Sequence, residues 1–173
     1  QAVPLALKHS TERIEALGDD ALIVGNAGND LVFSSVRLDA EATPVSGYIQ
    51  RNAVQGESRT HGFFYQPQDE ASGILGLPIL GGNEQRPTAA VKYLRNRKLQ
   101  LSDLGLLVAA PDKPRDDACQ ASCVDWYGNA RPIFIGERVY ALMGYELVEG
   151  RVYDDALLEL RRVNFAPRMP LGR

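Results

Sequence analysis

Apolar residues in this chain come in short runs, and each run ends at glycine, proline, asparagine or aspartate. "ALIVG" (Ala21 to Gly25) is followed by "NAGND", whose Asn, Gly and Asp supply left-handed backbone positions. "LVFSSVRLD" (Leu31 to Asp39) alternates imperfectly, with Leu31, Phe33, Ser35 and Arg37 on one side and Val32, Ser34, Val36 and Leu38 on the other. Such a run suits a strand buried mostly on one face. "VSGYIQRN" (Val45 to Asn52) reads as the next strand, set off by Thr43-Pro44. "HGFFYQP" and "GILGLPIL" form a pair across the polar turn "QDEAS", and Pro78 and the glycines exclude a helix in the second run. "AVKYLRNRKLQLSDLGLLVAA" gives two strands or one long bent one. "RPIFIG" and "VYALMGYELVEGRV" close the series with strand-like pieces, joined by a two-residue Gly136-Glu137 connection. Turn signals at intervals of about eight to twelve residues predict an all-β chain.

Two segments have helical features. "STERIEAL" offers Ser10 as an N-cap, but Arg13 stands where a capping box wants an acid. "DDALLELRR" (Asp154 to Arg162) has acids first and arginines last, yet Leu158, Leu160 and Arg162 also alternate, which leaves it undecided.

The segment with the densest chemistry is "QGESRTHGFFYQP" (Gln55 to Pro67), which holds one of the two histidines. As a strand it places Glu57, Arg59, His61 and Phe63 on one face and turns Ser58 away from His61, so no nucleophile–base pair forms. The expectation is a polar ladder at the surface or between sheets, with Arg59 and His61 meeting an anionic ligand as the functional version. "KYLRNRK" (Lys92 to Lys98) is the only dense basic run, and its alternation reads as a strand with one wet face.

Composition narrows the function classes. The chain has 173 residues, 45% hydrophobic and 24% charged, with a formal net charge of −3. This is enough for one domain with a real core, and it lacks the basic excess of a nucleic-acid binder. No apolar stretch is long enough to span a membrane as a helix. The start, "QAVPLALKHS", lacks the charged n-region and long apolar core of a signal peptide and reads as a mature end left after cleavage or as an arbitrary boundary. No Asn-x-Ser/Thr sequon occurs.

The two cysteines, Cys119 and Cys123 in "DDACQASCVDWYG", lack nearby partners for a zinc site and do not have redox Cys-x-x-Cys spacing. A local disulfide pinning a long loop is the first reading, with two free thiols as the other. A disulfide favours an oxidising compartment. Around it lie Asp112, Asp116, Asp117 and Asp125, whose spacing matches no EF-hand, so calcium is the one cofactor candidate beside a solvated acidic loop. Trp126 and Tyr127 read as core aromatics beside this loop, with a binding hot spot as the alternative.

Three phrases carry a family resemblance: the aromatic run ending in Tyr65-Gln66-Pro67, the following "GILGLPI", and "RPIFIGERVYALMGYELVEGRV". Together, over Ala21 to Val152, they resemble the C-terminal blades of bacterial and archaeal secreted β-propeller proteins. The resemblance implies a fold and an exported location (periplasm, cell surface or outside the cell), and no shared active site.

The resulting expectation is a single β-rich domain over 1–173, or the C-terminal part of a larger propeller. It is a partial set of β-propeller blades, with a compact β-sandwich or barrel as the alternative. At about 40–50 residues per blade the chain holds three to four, at or below the minimum for closure. The functional expectation is a non-enzymatic binding or scaffold module that meets another polypeptide or the rest of a longer precursor. The rival is a propeller-type hydrolase or lyase with acids and His61 at a channel mouth.

Overall fold

The computed structural model of the protein describes residues 3–83, 86–110 and 130–165. These form thirteen strands and one 3-10 turn. The first sheet runs in order through β1 (Arg13–Leu17), β2 (Asp20–Ala27), β3 (Asp30–Leu38) and β4 (Ala42–Gln50). The second holds β5 (Ala53–Gln55), β7 (Ser72–Asn83), β8 (Arg86–Arg97) and β9 (Gln100–Val108), with the short β6 (Phe64–Pro67) also on β7. The third runs through β10 (Arg131–Ile135), β11 (Arg138–Met143), β12 (Glu146–Tyr153) and β13 (Ala156–Asn164). All pairings are antiparallel, and none of the sheets closes into a barrel.

The sheets stack face to face in chain order. Leu22, Val24, Leu31 and Phe33 of the first sheet pack against Leu75, Leu77, Ala90 and Leu94 of the second. On the other face of the second sheet, Ile74, Val91 and Tyr93 pack against Val139, Ala141 and Val148 of the third. The middle sheet is thus covered twice, which explains why "GILGLPIL" is almost continuously apolar: a strand buried on both faces has no polar alternate positions. Gly76 marks how tightly the layers meet, since a Cβ there would lie 2.5 Å from Cβ of Pro132 on β10. Pro78 is tolerated inside β7 because β6 pairs with Gly73–Gly76 and β5 with Ile79–Gly81. The missing N–H therefore falls between the two short partners.

Hairpin turns follow their sequence signals. Gly28, Gly136 and Gly144 have positive φ at two-residue turns. Lys98 and Leu99 form the β8–β9 turn with φ of 51° and 66°, unusual for residues of this size. The Leu99 side chain is buried in the first core, and its carbonyl accepts bonds from Ser35 Oγ (2.6 Å) and Ser46 Oγ (2.7 Å). The turn thereby latches the second sheet onto the first.

Three expectations are corrected, and one segment left undecided is resolved. "STERIEAL" is no helix: Arg13–Leu17 is β1. The undecided "DDALLELRR" is strand too, since β12 offers Ala156 onward an edge to pair with. "QGESRTHGFFYQP" is not one strand: β5 ends at Gln55, a 3-10 turn occupies Thr60–Gly62, and β6 begins at Phe64. "KYLRNRK" does not present an alternating wet face: β8 is the middle of a covered sheet, Lys92, Arg95 and Asn96 are buried, and the exposed residues are Arg97 and Lys98 at its end.

Candidate functional site

Polar side chains collect in three places between the sheets and on one open face. The first place is the seam between β1 and the loop after β5. Arg13 is buried and donates to Gln55 Oε1 (2.5 Å), to the carbonyls of Glu57 (3.0 Å) and Arg59 (2.8 Å), and to Glu15. Glu57, 4% exposed, accepts from the Arg59 N–H at 2.8 Å, and its other oxygen lies 3.4 Å from His61 Nε2. The sequence expectation of a Glu57–Arg59–His61 group is met in space, but by a turn rather than by strand alternation. The buried Glu57 carboxylate meets the side chains of Arg59 and His61, each at 3.4 Å, and Arg13 grips the loop backbone. The arrangement clamps two layers together and holds no nucleophile.

The second place lies between the first and second sheets. Lys92 Nζ is 2.5 Å from Asp103 Oδ1, and Asp103 also accepts from the Tyr48 hydroxyl at 2.7 Å. The ammonium sits 4.8 Å from the centre of the Tyr48 ring. Burial pushes the Lys92 pKa down against the support of Asp103. Burial raises the Asp103 carboxyl, but the bonds from Lys92 and Tyr48 outweigh it and hold the group below its ordinary value. The Tyr48 hydroxyl is pushed up, by burial first and by Asp103 second. A cleft of about 640 Å³ opens nearby, with Ala53, Ile79, Ala90 and Leu106 in its wall and Arg51 and Asn52 at its rim. Arg51 and the Asn52 N–H already bond Asp30.

The third place lies between the second and third sheets, where Arg95 bonds Gln68 (3.1 Å) and the Asp154 carbonyl (2.6 Å) and pairs with Asp155 (3.1 Å). It lines a cleft of about 580 Å³ with Arg151, itself paired with Glu137. In both clefts the groups able to grip a ligand already hold protein partners. Sequence reading missed Arg13, Lys92 and Arg95. The signal available for the last two was charge inside a run otherwise apolar on both alternate sets, as in "AAVKYLRNR".

The open face belongs to the third sheet. The register places three cross-strand rows on the side away from the middle sheet: Ile135, Arg138, Arg151 and Leu158; Ile133, Tyr140, Glu149 and Arg161; Arg131, Leu142, Leu147 and Val163. Glu149 is buried and pairs with Arg138 (3.3 Å) and Arg161 (2.9 Å). Ile135, Leu158 and Val163 are each about half exposed. Among the described residues no strand covers this face. The far side of the first sheet differs, because Leu5 and Leu7 lie over Ala21, Ile23 and Val36.

No protein family, curated protein or solved structure matches this chain. The geometry alone therefore carries the functional reading. Among the described residues no three metal-ligating side chains gather, and no helix is long and apolar enough to cross a membrane. Cys119, Cys123, Trp126, Tyr127 and the acids Asp112, Asp116, Asp117 and Asp125 lie outside the described residues. Arg59 and His61 stand beside Glu57, in the seam and not on the open face.

Proposed function

We propose that this chain is a non-enzymatic binding or scaffold module of an exported protein, built as successive blades of a β-propeller. Its contact surface is the outer face of β10–β13. The observation that carries the reading is the repeat of one stacking mode. Each sheet buries an apolar face on the next, and the last presents an outer face on which Ile135, Leu158 and Val163 stand half exposed among arginines. The placement of β9 against both β4 and β13 supports a common hub, since blades of a propeller gather around one axis. Half-exposed apolar side chains on a sheet face that no described strand covers mark a docking surface or an aggregation hazard.

Light scattering on a sizing column, with an apolar-surface dye, tests the reading. The chain is expected to self-associate, or to bind dye as a monomer and lose the signal in Leu158→Arg/Val163→Arg. A 19.0 kDa monomer that binds no dye would remove it.

A further inference from the structure

We infer that residues 3–10 form a displaceable strap. The strap lies across the outer face of the first sheet, withholds that face from contact, and lifts off while the sheets stay folded. The inference stands on the first sheet alone and goes beyond the contact surface proposed on the third.

The side chains of this segment alternate as they would in a strand. Leu5, Leu7 and His9 are partly buried, whereas Pro4, Ala6, Lys8 and Ser10 are exposed. Leu5 and Leu7 pack on Ala21 and Ile23 of β2 and Val36 of β3. His9 Nδ1–H donates to the Ser10 carbonyl (2.6 Å), and Nε2 bonds the Ser34 hydroxyl of β3 (2.8 Å).

The backbone is fastened at one end. The Ser10 N–H donates to the Asn26 carbonyl and the Glu12 N–H to that of Val24, which continues the β1–β2 ladder. The Asn26 N–H returns a bond to Ser10 Oγ (2.8 Å). Among the described residues no backbone bond joins residues 3–9 to the sheet. A segment with few buried contacts and no ladder opens at lower cost than the strands beneath it.

Gly25 makes the crossing possible. The chain passes so close there that a Cβ on Gly25 would overlap the Ser10 carbonyl oxygen. Gly25 has no positive φ, so it is the strap that demands glycine and not the backbone conformation.

The strap covers an apolar face. Ile14, Leu38 and Ile49 stand about half exposed or more on the same side of the sheet. With the strap lifted they join Ala21, Ile23 and Val36 in one apolar patch, the kind of surface that the other sheets bury on each other. The strap is the resident occupant of this face and closes this end of the stack.

Limited trypsin digestion read by intact mass tests the strap, together with an apolar-surface dye and far-ultraviolet circular dichroism. Lys8 lies within the strap, so cleavage after it reports the lifted state. In the natural chain this cut should be slow. Leu5→Ser/Leu7→Ser removes the buried apolar hold and should be cut there about tenfold faster or more. It should also bind more dye while keeping its β signal. Gly25→Ala should do the same through the crossing, with both leucines in place. A natural chain cut after Lys8 as fast as the double variant has no docked strap and overturns the inference. So does a double variant that lacks either change, or one that loses its β signal, which would make the segment part of the core. A folded Gly25→Ala chain whose Lys8 stays protected also overturns it. These variants leave the third sheet untouched, so their outcome is separate from that of the proposed contact face.

Discussion

Lys92 and Asp103 form an ion pair that is very unequal in exposure, at 2% and 50% of the side chain. Breaking it from the two sides should therefore cost different amounts. Asp103→Asn strands a buried ammonium and should destabilise by about 1–3 kcal/mol, below the full cost of a wholly buried pair because water reaches this site. Lys92→Met leaves a carboxylate that can hydrate and puts apolar volume in the core, so it should be close to neutral or stabilising. Urea melts of the two variants check the order. The pair also predicts a pH dependence. The Asp103 carboxyl is held below its ordinary value of 3.8 in the folded state. Its contribution is complete above that value and fades as pH falls through the lower folded one. The gap in urea midpoint between the natural chain and Asp103→Asn should narrow below about pH 4.

The seam residues make a similar contrast. His61→Ala removes a side chain about one third exposed and should shift stability by about 1 kcal/mol or less. Glu57→Ala removes the buried acceptor that the Arg59 N–H, Arg59 and His61 share, and should cost about 2 kcal/mol. Equal costs in a urea melt would mean that the carboxylate does not organise the loop.

Among the elements, β7 sets how closely the layers approach. Gly76→Ala puts a methyl into Pro132 and the Tyr93 ring, both of which belong to the packed seam between the second and third sheets. A loss of about 1–3 kcal/mol is expected, as for overpacking elsewhere. Gly28→Ala is a useful comparison, because it meets no atom and bears only the strain of positive φ at a turn. A thermal melt in which Gly76→Ala is the milder change would contradict the tight seam. Turn and strand signals made most elements legible beforehand. β1 and β13 were not, because "RIEAL" and "ALLELRRV" carry helix-forming residues, and only an edge of β2 or β12 makes them strands.

For the whole molecule, the decisive feature is that the middle sheet contributes to two cores at once. Loss of either outer sheet exposes one face of β7 and β8, so the layers should unfold together. Near- and far-ultraviolet circular dichroism are expected to trace one urea transition. Two separated transitions would show that the layers fold independently and would weaken the case for a continuous stack.

Alternation and turn chemistry by themselves determined the all-β class and most hairpins. They act between neighbours along the chain, and a period of two is readable wherever one face is apolar. The same local logic placed Glu57, Arg59 and His61 together, though for the wrong reason. Only the tertiary structure decided which strands are covered twice. "KYLRNRK" looked half wet because its charges alternate, yet Lys92 to Asn96 are buried because sheets lie on both sides of β8. Arg13 gives no local sign that it will reach across to Gln55 and Glu57, more than forty positions away. The open face was equally out of reach, since Ile135, Leu158 and Val163 differ from core residues only in that no described layer follows the third sheet. Burial is a property of what stacks on a strand, and no run of residues encodes its own neighbour.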